Sequence, residues 1–325
     1  MRAWQVDRTG EPDEVLELVE REPPAPGPGQ LRIAVRAAAL GLPDAFMCRG
    51  SYPLTPALPF TPGQEVAGVV VEAGQGTSFA AGARVMGVTQ FVEGIGGFAD
   101  ETIVAGDNAF PVPDDMSDAD AAAFRIGYPT AWVGLVRRGH LVEGDDLLVL
   151  GAAGGSGAAA IQVGGALGAR VLAVAAGPEK CAYCETLGAD VVIDRRDADV
   201  NGVVRELTDG RGVDLVFDPV GGDAGEQAAR SLARCGRFLA IGFASGRWPS
   251  VDVGRLVGRN ASVLGVYVGA YERIEHEADH AAMLALVDAG RLHSVVTSTV
   301  SFDEIPAALE VLAHGDAVGK TVAIL

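Results

Sequence analysis

From residue 146 onward, short apolar runs alternate with stretches of helical length, and no other feature of the chain constrains its fold as strongly. Six runs are rich in β-branched and aliphatic residues: LLVL, RVLAVAA, DVVID, VDLVFD, RFLAIG and SVLGVYV. Four stretches between them are predicted helices ending in Gly, a common C-cap: GAAAIQVGGALG, PEKCAYCETLG, DVNGVVRELTDG and DAGEQAARSLARCG. The alternation predicts βαβ units and a parallel sheet.

The first part of the chain has a different texture. It is rich in Pro and Gly, and its apolar segments are short and alternating, at 31–40, 65–74 and 83–88. This texture is typical of a compact, mostly β domain with many turns. The last segment has the pattern strand, helix, strand, and we expect it to return to the first domain. The predicted domains are 1–120 together with 291–325, and an inserted α/β domain at 121–290.

The charge balance disfavours some classes of ligand. Asp and Glu number 43 against 25 Lys and Arg, which gives a formal charge of −18 and a surface that repels nucleic acid and anionic lipid. No run approaches the roughly 20 apolar residues of a membrane helix. The first residues lack the apolar core of a secretory signal, and the four cysteines are too scattered for a disulfide framework. We expect a protein of the cytoplasm with no membrane partner.

The segment GAAGGSG, at 151–157, lies between the first strand and the first helix of the inserted domain. Such a turn presents the N–H groups and the positive dipole end of the helix to a pyrophosphate. In the best-fitting frame, Gly154 allows close approach of the phosphates and Gly157 lets the helix pack on the strand. Ala152 then stands in place of the usual first glycine. Together with Gly155 and the hydroxyl of Ser156, these residues predict a dinucleotide site.

The end of the second strand distinguishes the two nicotinamide dinucleotides. An Asp or Glu at that point binds the ribose hydroxyls of NAD. Here the strand ends AVAAGPEK, so that Ala176 or Gly177 takes the position and Lys180 follows. Because no acid is seen there to repel a 2′-phosphate and a lysine is placed to bind one, the sequence predicts NADPH in preference to NADH.

Segments that carry a family resemblance are spread along nearly the whole chain: PFTPGQEVAGVV, GYPTAW, LLVLGAAGGSGAAAIQ, LGADVVID, GRGVDLVFDPVGG, GRFLAIGFASG, GVYVGAY and GKTVAIL. In these segments the sequence resembles the zinc-independent NADPH:quinone oxidoreductases of the medium-chain dehydrogenase/reductase superfamily. The resemblance implies an α/β fold with a GroES-like, mostly β domain completed by the C-terminal tail. It also implies a Rossmann domain with a doubly wound parallel sheet, a cleft for the nicotinamide, and a homodimer built through the Rossmann sheets.

Zinc-dependent relatives take a Cys where this chain has Gly41 and a His where it has Gln64. Neither a glycine nor an amide is a credible ligand for Zn²⁺. The resemblance therefore implies hydride transfer without zinc, from NADPH to quinones or similar electron-poor carbonyl compounds. Asp44, in the same segment as Gly41, is interpreted first as a helix cap.

The resemblance also implies substrate-side residues. Tyr52 matches a family tyrosine and is the best candidate to donate a hydrogen bond in catalysis, with Gln64 as the second candidate. Gly41 and Phe46 replace an Asn and a Tyr that border the substrate in many relatives. Together with Arg125, they are predicted to line the substrate pocket.

On the cofactor side, Thr130 in GYPTAW matches a residue close to the nicotinamide. Backbone groups are predicted to fix the carboxamide at four positions: Gly242, Phe243, Val266 and Tyr267.

In VVIDRRD, Asp194 stands where the family often has a Tyr that contacts the 2′-phosphate. An Asp there disfavours the phosphate, whereas Arg195 can stack on the adenine or bind the phosphate.

Two alternative functions stay open. The same fold and cofactor serve enoyl-thioester and enone reductases, whose intermediate benefits from a hydrogen-bond donor at oxygen and an acid at carbon. The other alternative is an NADPH-binding protein with little catalysis, as among the lens zeta-crystallin relatives.

Two patterns are typical of metal or redox sites. HEADH at 276–280 matches HExxH, although no third ligand is evident. Cys181 and Cys184 form a CxxC inside a predicted helix rather than at its start, so we interpret them as ordinary thiols.

Overall fold

A computed structural model describes all 325 residues. The chain divides into two compact units, Met1–Ile126 with Ser294–Leu325, and Gly127–His293. The sequence-based boundaries at 120 and 290 fall a few residues earlier. They differ because the helix Asp118–Phe124 packs against strands of the first unit and extends it.

The secondary-structure elements of the first unit, up to the point where the chain leaves it, are β1 (Arg2–Val6), α1 (Pro12–Val15), β2 (Leu16–Glu20), β3 (Gln30–Ala39), α2 (Leu42–Cys48), β4 (Glu65–Ala73), β5 (Arg84–Thr89), β6 (Glu101–Pro111) and α3 (Asp118–Phe124).

The elements of the second unit are α4 (Gly127–Trp132), β7 (Asp146–Val149), α5 (Gly155–Ala166), β8 (Arg170–Ala175), α6 (Pro178–Thr186), β9 (Val191–Asp194), α7 (Val200–Leu207), β10 (Val213–Asp218), α8 (Gly222–Ala229), β11 (Leu232–Ala240), α9 (Val253–Arg259), β12 (Ser262–Gly265) and α10 (Arg273–Asp288). The chain then re-enters the first unit with β13 (Val296–Ser301), α11 (Ile305–Ala313) and β14 (Lys320–Ile324).

The first unit is built on a six-stranded sheet with the order β13-β14-β3-β4-β5-β6, and a further pairing of β3 with β6 closes four of these strands on themselves. The tail is part of this sheet, because β14 pairs antiparallel with β3 in the register Val322↔Ala39. Closure leaves inward-facing side chains to fill the interior. The largest of them include Leu31, Ile33, Phe60 and Phe98.

The second unit is a parallel sheet with the order β12-β11-β10-β7-β8-β9, covered by helices. The six strands are those that the apolar runs predict, and the predicted α/β fold with a doubly wound sheet is confirmed. Strand order reverses between β7 and β10, and ligands of open parallel sheets bind outside the carboxyl ends of the strands at such a point. None of the helices of the chain is both long and apolar enough to cross a membrane.

One predicted helix was too long. The stretch DAGEQAARSLARCG is helical only as far as Ala229, and its second half forms the start of β11. Leu232 pairs with Val213 of β10, and Cys235 adopts a left-handed φ of 64°. Pairing with a neighbouring strand overrides the helical preference of this segment, because local propensity is a weak determinant against tertiary contacts.

Candidate functional site

The glycine turn lies at the reversal of strand order. After β7, Leu150 donates its N–H to Phe217 O of β10 at 3.0 Å, and Ala152 donates to Val174 O of β8 at 3.1 Å. The turn between them depends on Gly151, which has a φ of +55°. Ala152 stands in the place of the usual first glycine, as the sequence predicts. Gly151 supplies the left-handed residue one position before Ala152.

Gly157 has the role predicted for it. A Cβ at this position would lie 2.7 Å from Ala152 Cα, so that only glycine lets α5 approach the turn this closely. Gly154 differs, since a Cβ there would meet only Gly151 O at an ordinary 3.4 Å. The protein's own packing does not require glycine at 154, and the predicted close approach of the phosphates stays a prediction.

The start of α5 is suited to an anion. Its first intrahelical bond runs from Ala158 N–H to Gly154 O at 2.8 Å, so the N–H groups of Gly155, Ser156 and Gly157 precede the hydrogen-bonded ladder. The first turn carries no acidic residue. These N–H groups and the helix dipole fit the pyrophosphate of a dinucleotide.

The loop after β10 is fixed by a residue that the sequence analysis did not select. Asp218 is fully buried and accepts the N–H groups of Val220 and Gly221, both at 2.8 Å. Burial raises the pKa of this carboxyl, against the opposite effect of the two N–H donors. Gly242 also donates its N–H to Asp218 O at 3.2 Å, which joins this loop to the segment predicted to hold the carboxamide. In the sequence, this residue could have been found as an Asp at the end of an apolar strand, directly before Pro219.

The remaining predicted cofactor residues lie on elements around the turn. The helix α4, which carries Thr130, approaches the start of α5 closely enough that a Cβ on Gly127 would lie 3.4 Å from Gly155 O. The Phe243 ring packs on Trp248 with centroids 5.0 Å apart. Val266 and Tyr267 follow β12, and Tyr267 is 61% exposed.

Asp194 contacts a residue that follows the second strand of the sheet. Gly177 caps α6 with a φ of +89°, and its N–H is bound by the carboxylate of Asp194. Lys180 lies in the first turn of α6 and Arg195 is exposed. The strand β8 itself ends without an acid, as the sequence indicates, and Asp194 at the end of β9 lies beside it because the two strands pair in parallel.

In the first unit, Asp44 joins the two positions where zinc-dependent relatives have ligands. Asp44 Oδ2 accepts the Gly41 N–H at 2.9 Å, and Oδ1 accepts the Gly63 N–H at 3.0 Å, next to Gln64. The helix-cap interpretation of Asp44 is confirmed, since it closes the capping box of α2. Burial raises the pKa of Asp44 to about 7, although both N–H bonds and Lys320 act in the opposite direction.

Gln64 is the candidate with an unused polar group. Its side chain is buried, and Nε2 has no hydrogen-bond partner. Buried amides are nearly always paired, because an orphan donor costs roughly 1–3 kcal/mol. The Gln64 amide is therefore an unpaired buried donor, and its role toward a substrate stays a prediction.

The other substrate-side candidates lie on or near α2 and α3. Phe46 belongs to the buried face of α2, and Tyr52 packs half-buried against the core of the first unit. Arg125 is buried, and its guanidinium carbon lies 3.8 Å from the centre of the Phe110 ring, a cation–π contact. Their roles toward a substrate stay predictions.

The metal-like and redox-like motifs both lie on helices of the second unit. In HEADH, Glu277 pairs with Arg273 at 2.7 Å and the His276 ring contacts the edge of Tyr271. No group of three or more His, Cys, Asp or Glu side chains in the chain is placed to hold a metal ion. Burial raises the pKa of both Cys181 and Cys184, that of Cys184 to about 12, which makes them ordinary thiols as predicted.

The chain combines a doubly wound sheet, whose glycine turn presents N–H groups to a phosphate, with a closed, mostly β domain. This combination is typical of two-domain dinucleotide-binding oxidoreductases. Comparison with known proteins agrees. Residues 27–114 match the family described as Alcohol dehydrogenase GroES-like domain, and residues 155–289 match the family described as Zinc-binding dehydrogenase.

Individual proteins give a closer assignment. A quinone oxidoreductase-like protein 2 homolog from Nematostella vectensis is 32% identical over 91% of this chain and 82% of its own. The crystal structures of Pseudomonas syringae quinone oxidoreductase (31% identity, TM-score 0.92, 100% of this chain and 99% of that one) and of Escherichia coli quinone oxidoreductase complexed with NADPH (27%, 0.92, 100% of both) share the whole fold. The chain belongs to the quinone oxidoreductase group of the medium-chain dehydrogenase/reductase superfamily, and the predicted family resemblance is confirmed.

Proposed function

We propose that the protein is an NADPH-dependent reductase that transfers hydride to quinones or similar electron-poor carbonyl compounds without a metal. The observation that carries this proposal is the turn from Gly151 to Gly157 at the reversal of strand order, with the open N–H groups of α5. The choice of cofactor is supported by the Escherichia coli quinone oxidoreductase, whose crystal structure is a complex with NADPH.

The second unit would hold the cofactor through its backbone. The N–H groups of Gly155, Ser156 and Gly157 bind the pyrophosphate, and Lys180 attracts the 2′-phosphate. Asp218 holds the loop after β10, and Gly242 donates its N–H to Asp218 O, so that the backbone there is preorganised. A bound NADPH supplies the hydride.

The first unit would assist the acceptor. Gln64, whose buried Nε2 has no partner in the protein, is the candidate to donate a hydrogen bond to the acceptor oxygen that gains negative charge. Tyr52 is the candidate to deliver a proton. A reduced quinone leaves a phenolate-like oxygen that a weak donor or solvent protonates, so no strong acid is needed.

Turnover with a panel of acceptors tests the function. The purified protein is mixed with NADPH and benzoquinones, naphthoquinones, enones or crotonyl thioesters, and loss of nicotinamide absorbance is followed. Quinones should be reduced fastest. Faster reduction of crotonyl substrates, with a large loss in Y52F, would favour the enoyl-thioester reductase instead. Tight NADPH binding without turnover of any acceptor would favour a binding protein.

We also propose that two copies of the chain associate through the edge of the parallel sheet. β12 is the outermost strand, and Val263 on it is 41% exposed. Val253 and Val257 of α9, which packs on the neighbouring strand β11, are 69% and 76% exposed. An open edge with apolar side chains favours pairing with another chain.

A further inference from the structure

The end of β9 delivers a carboxylate to the end of β8. The two strands pair in parallel with Ala175 opposite Asp194, so Asp194 stands beside the last residue of β8. The N–H of Gly177 donates to Oδ1 and Oδ2 of Asp194 at 3.1 and 3.0 Å, and the N–H of Arg196 donates to Oδ1 at 3.0 Å. The carboxylate is thus fixed by three backbone contacts from two segments.

This carboxylate is ionised at neutral pH. The N–H groups of Arg196 and Gly177 hold the pKa of Asp194 below its usual range, and the positive charges of Arg196 and Arg195 act in the same direction. The Cys181 thiol, in α6, also hydrogen-bonds to it. Three donors bind this carboxylate: the N–H of Gly177, shared by both oxygens, the N–H of Arg196 and the Cys181 thiol. A carboxylate has about four acceptor sites on its two oxygens, so Asp194 keeps capacity for one ligand hydroxyl.

Arg196 covers Gly177. A Cβ on Gly177 would lie 2.6 Å from Arg196 Nη1 and 3.1 Å from its Cζ, so the guanidinium rests against the glycine backbone. The positive φ of Gly177, +89°, favours glycine at this position. The basic group nearest to the carboxylate is therefore Arg196, which the sequence analysis had passed over in favour of Arg195.

The local charges favour a phosphate only weakly. Lys180, Arg195 and Arg196 carry three positive charges, whereas Asp194 and Glu179 carry two negative charges. A 2′-phosphate is attracted by the three cations and repelled by the nearest fixed carboxylate. A free ribose hydroxyl meets no such repulsion and finds in Asp194 the acceptor that NAD-binding sites use.

We propose that Asp194 sets the cofactor specificity of this chain: it accepts the ribose hydroxyls of NADH and opposes the 2′-phosphate of NADPH, so that both dinucleotides bind and NADPH is preferred by about tenfold or less. The inference rests on the proposed function, since it concerns the adenosine end of the same dinucleotide site. The positive charge of Arg196 reduces the repulsion between Asp194 and the 2′-phosphate, so that NADPH still binds.

Isothermal titration of the full-length protein with NADPH and with NADH, in the absence of an acceptor, tests the inference apart from turnover. In D194N the dissociation constant of NADH should rise and that of NADPH should fall, so that their ratio shifts by about tenfold or more toward NADPH. The matched control is D197N, which removes the same charge from an exposed position three residues away and should leave the ratio unchanged. R196Q should shift the ratio toward NADH.

Two results would overturn the inference. One is an unchanged ratio in D194N. The other is a wild-type protein that binds NADPH more than about a hundredfold more tightly than NADH, and this second measurement decides the question even if D194N does not fold. Absence of binding of either dinucleotide to the wild type would instead overturn the proposed function.

Discussion

Lys320, the first residue of the last strand, forms a buried ion pair with Glu65, the first residue of β4. Only 10% of the lysine side chain and 2% of the glutamate side chain are exposed. Glu65 also accepts the Ile126 N–H at 2.5 Å, at the point where the chain leaves the first unit. The pair therefore ties the C-terminal tail, β4 and the exit of the chain together.

Neutralising one member of this pair should destabilise the first unit. E65Q keeps an acceptor for Ile126 but leaves the Lys320 charge buried without a partner, which costs about 3–5 kcal/mol. Urea unfolding followed by circular dichroism measures the loss. The double variant E65Q/K320M removes both charges and should recover most of it. Equal stability of E65Q and the wild type would contradict the prediction.

Asp44 should make stability depend on pH in a defined direction. Its pKa in the folded protein is about 7, above the value of 3.8 for an unperturbed carboxyl, so the folded state holds the proton more tightly than the unfolded state. The Asp44 contribution is therefore complete below pH about 4, falls as pH rises to about 7, and is constant above. The free energy of unfolding of wild type relative to D44N should decrease by about 1.4 kcal/mol for each pH unit in this window.

Measuring the difference between wild type and D44N cancels the contributions of the other carboxylates, among them Asp100, whose lowered pKa acts in the opposite direction. The amide of D44N also loses one acceptor, and this adds an offset that does not vary with pH. A difference that is flat from pH about 4 to about 7 would show that Asp44 stays ionised in the fold.

The sequence predicts the elements well where one signal is repeated. Six apolar runs separated by helical stretches define the parallel sheet, and Gly157 follows from the spacing of the turn. The sequence does not predict which distant segments contact one another. Asp194 reaches Gly177 only because β9 and β8 pair in one particular register, and no local pattern fixes that register.

Two other differences have the same origin. β11 begins within a segment of helical preference because β10 offers a pairing partner. Gly151 takes the left-handed position because the chain must turn between two strands that the linear motif does not show. In both cases the backbone conformation is set by contacts with other strands. Local propensity either leaves that conformation undetermined or favours a different one.

Gly157 and Gly165 lie on the same helix and should respond differently to alanine. In G157A the new Cβ would lie 2.7 Å from Ala152 Cα, so the turn must shift, whereas nothing lies within 4 Å of a Cβ at Gly165. G157A should weaken NADPH binding at least about tenfold, and G165A should bind normally and gain up to about 1 kcal/mol of stability. Titration calorimetry and thermal unfolding measure both. Normal binding by G157A would contradict the close packing inferred for the turn.

Asp279 should matter for stability, whereas its neighbour Glu277 in the HExxH motif should not. Asp279 is buried and accepts hydrogen bonds from Trp132 Nε1 at 3.0 Å and from Arg137 Nε at 2.7 Å. D279A leaves both donors without an acceptor and should lower the free energy of unfolding by about 2–4 kcal/mol. E277A removes only a surface ion pair with Arg273 and should stay within about 0.5 kcal/mol. A chelator should leave the Tm unchanged, and a fall in Tm on chelation would restore the metal interpretation.

Association through β12 should depend on Val263. A lysine at an exposed sheet edge opposes pairing with another chain, because its charge would have to be desolvated. Sedimentation analysis of the wild type should give about twice the chain mass of 33.3 kDa, and V263K should sediment as a single chain. V311K is the matched control, since Val311 is 50% exposed on α11 of the first unit and is not part of the β12 edge. It should stay dimeric. A wild type that sediments as one chain, or a V263K variant that stays dimeric while V311K dissociates, would contradict the proposed interface.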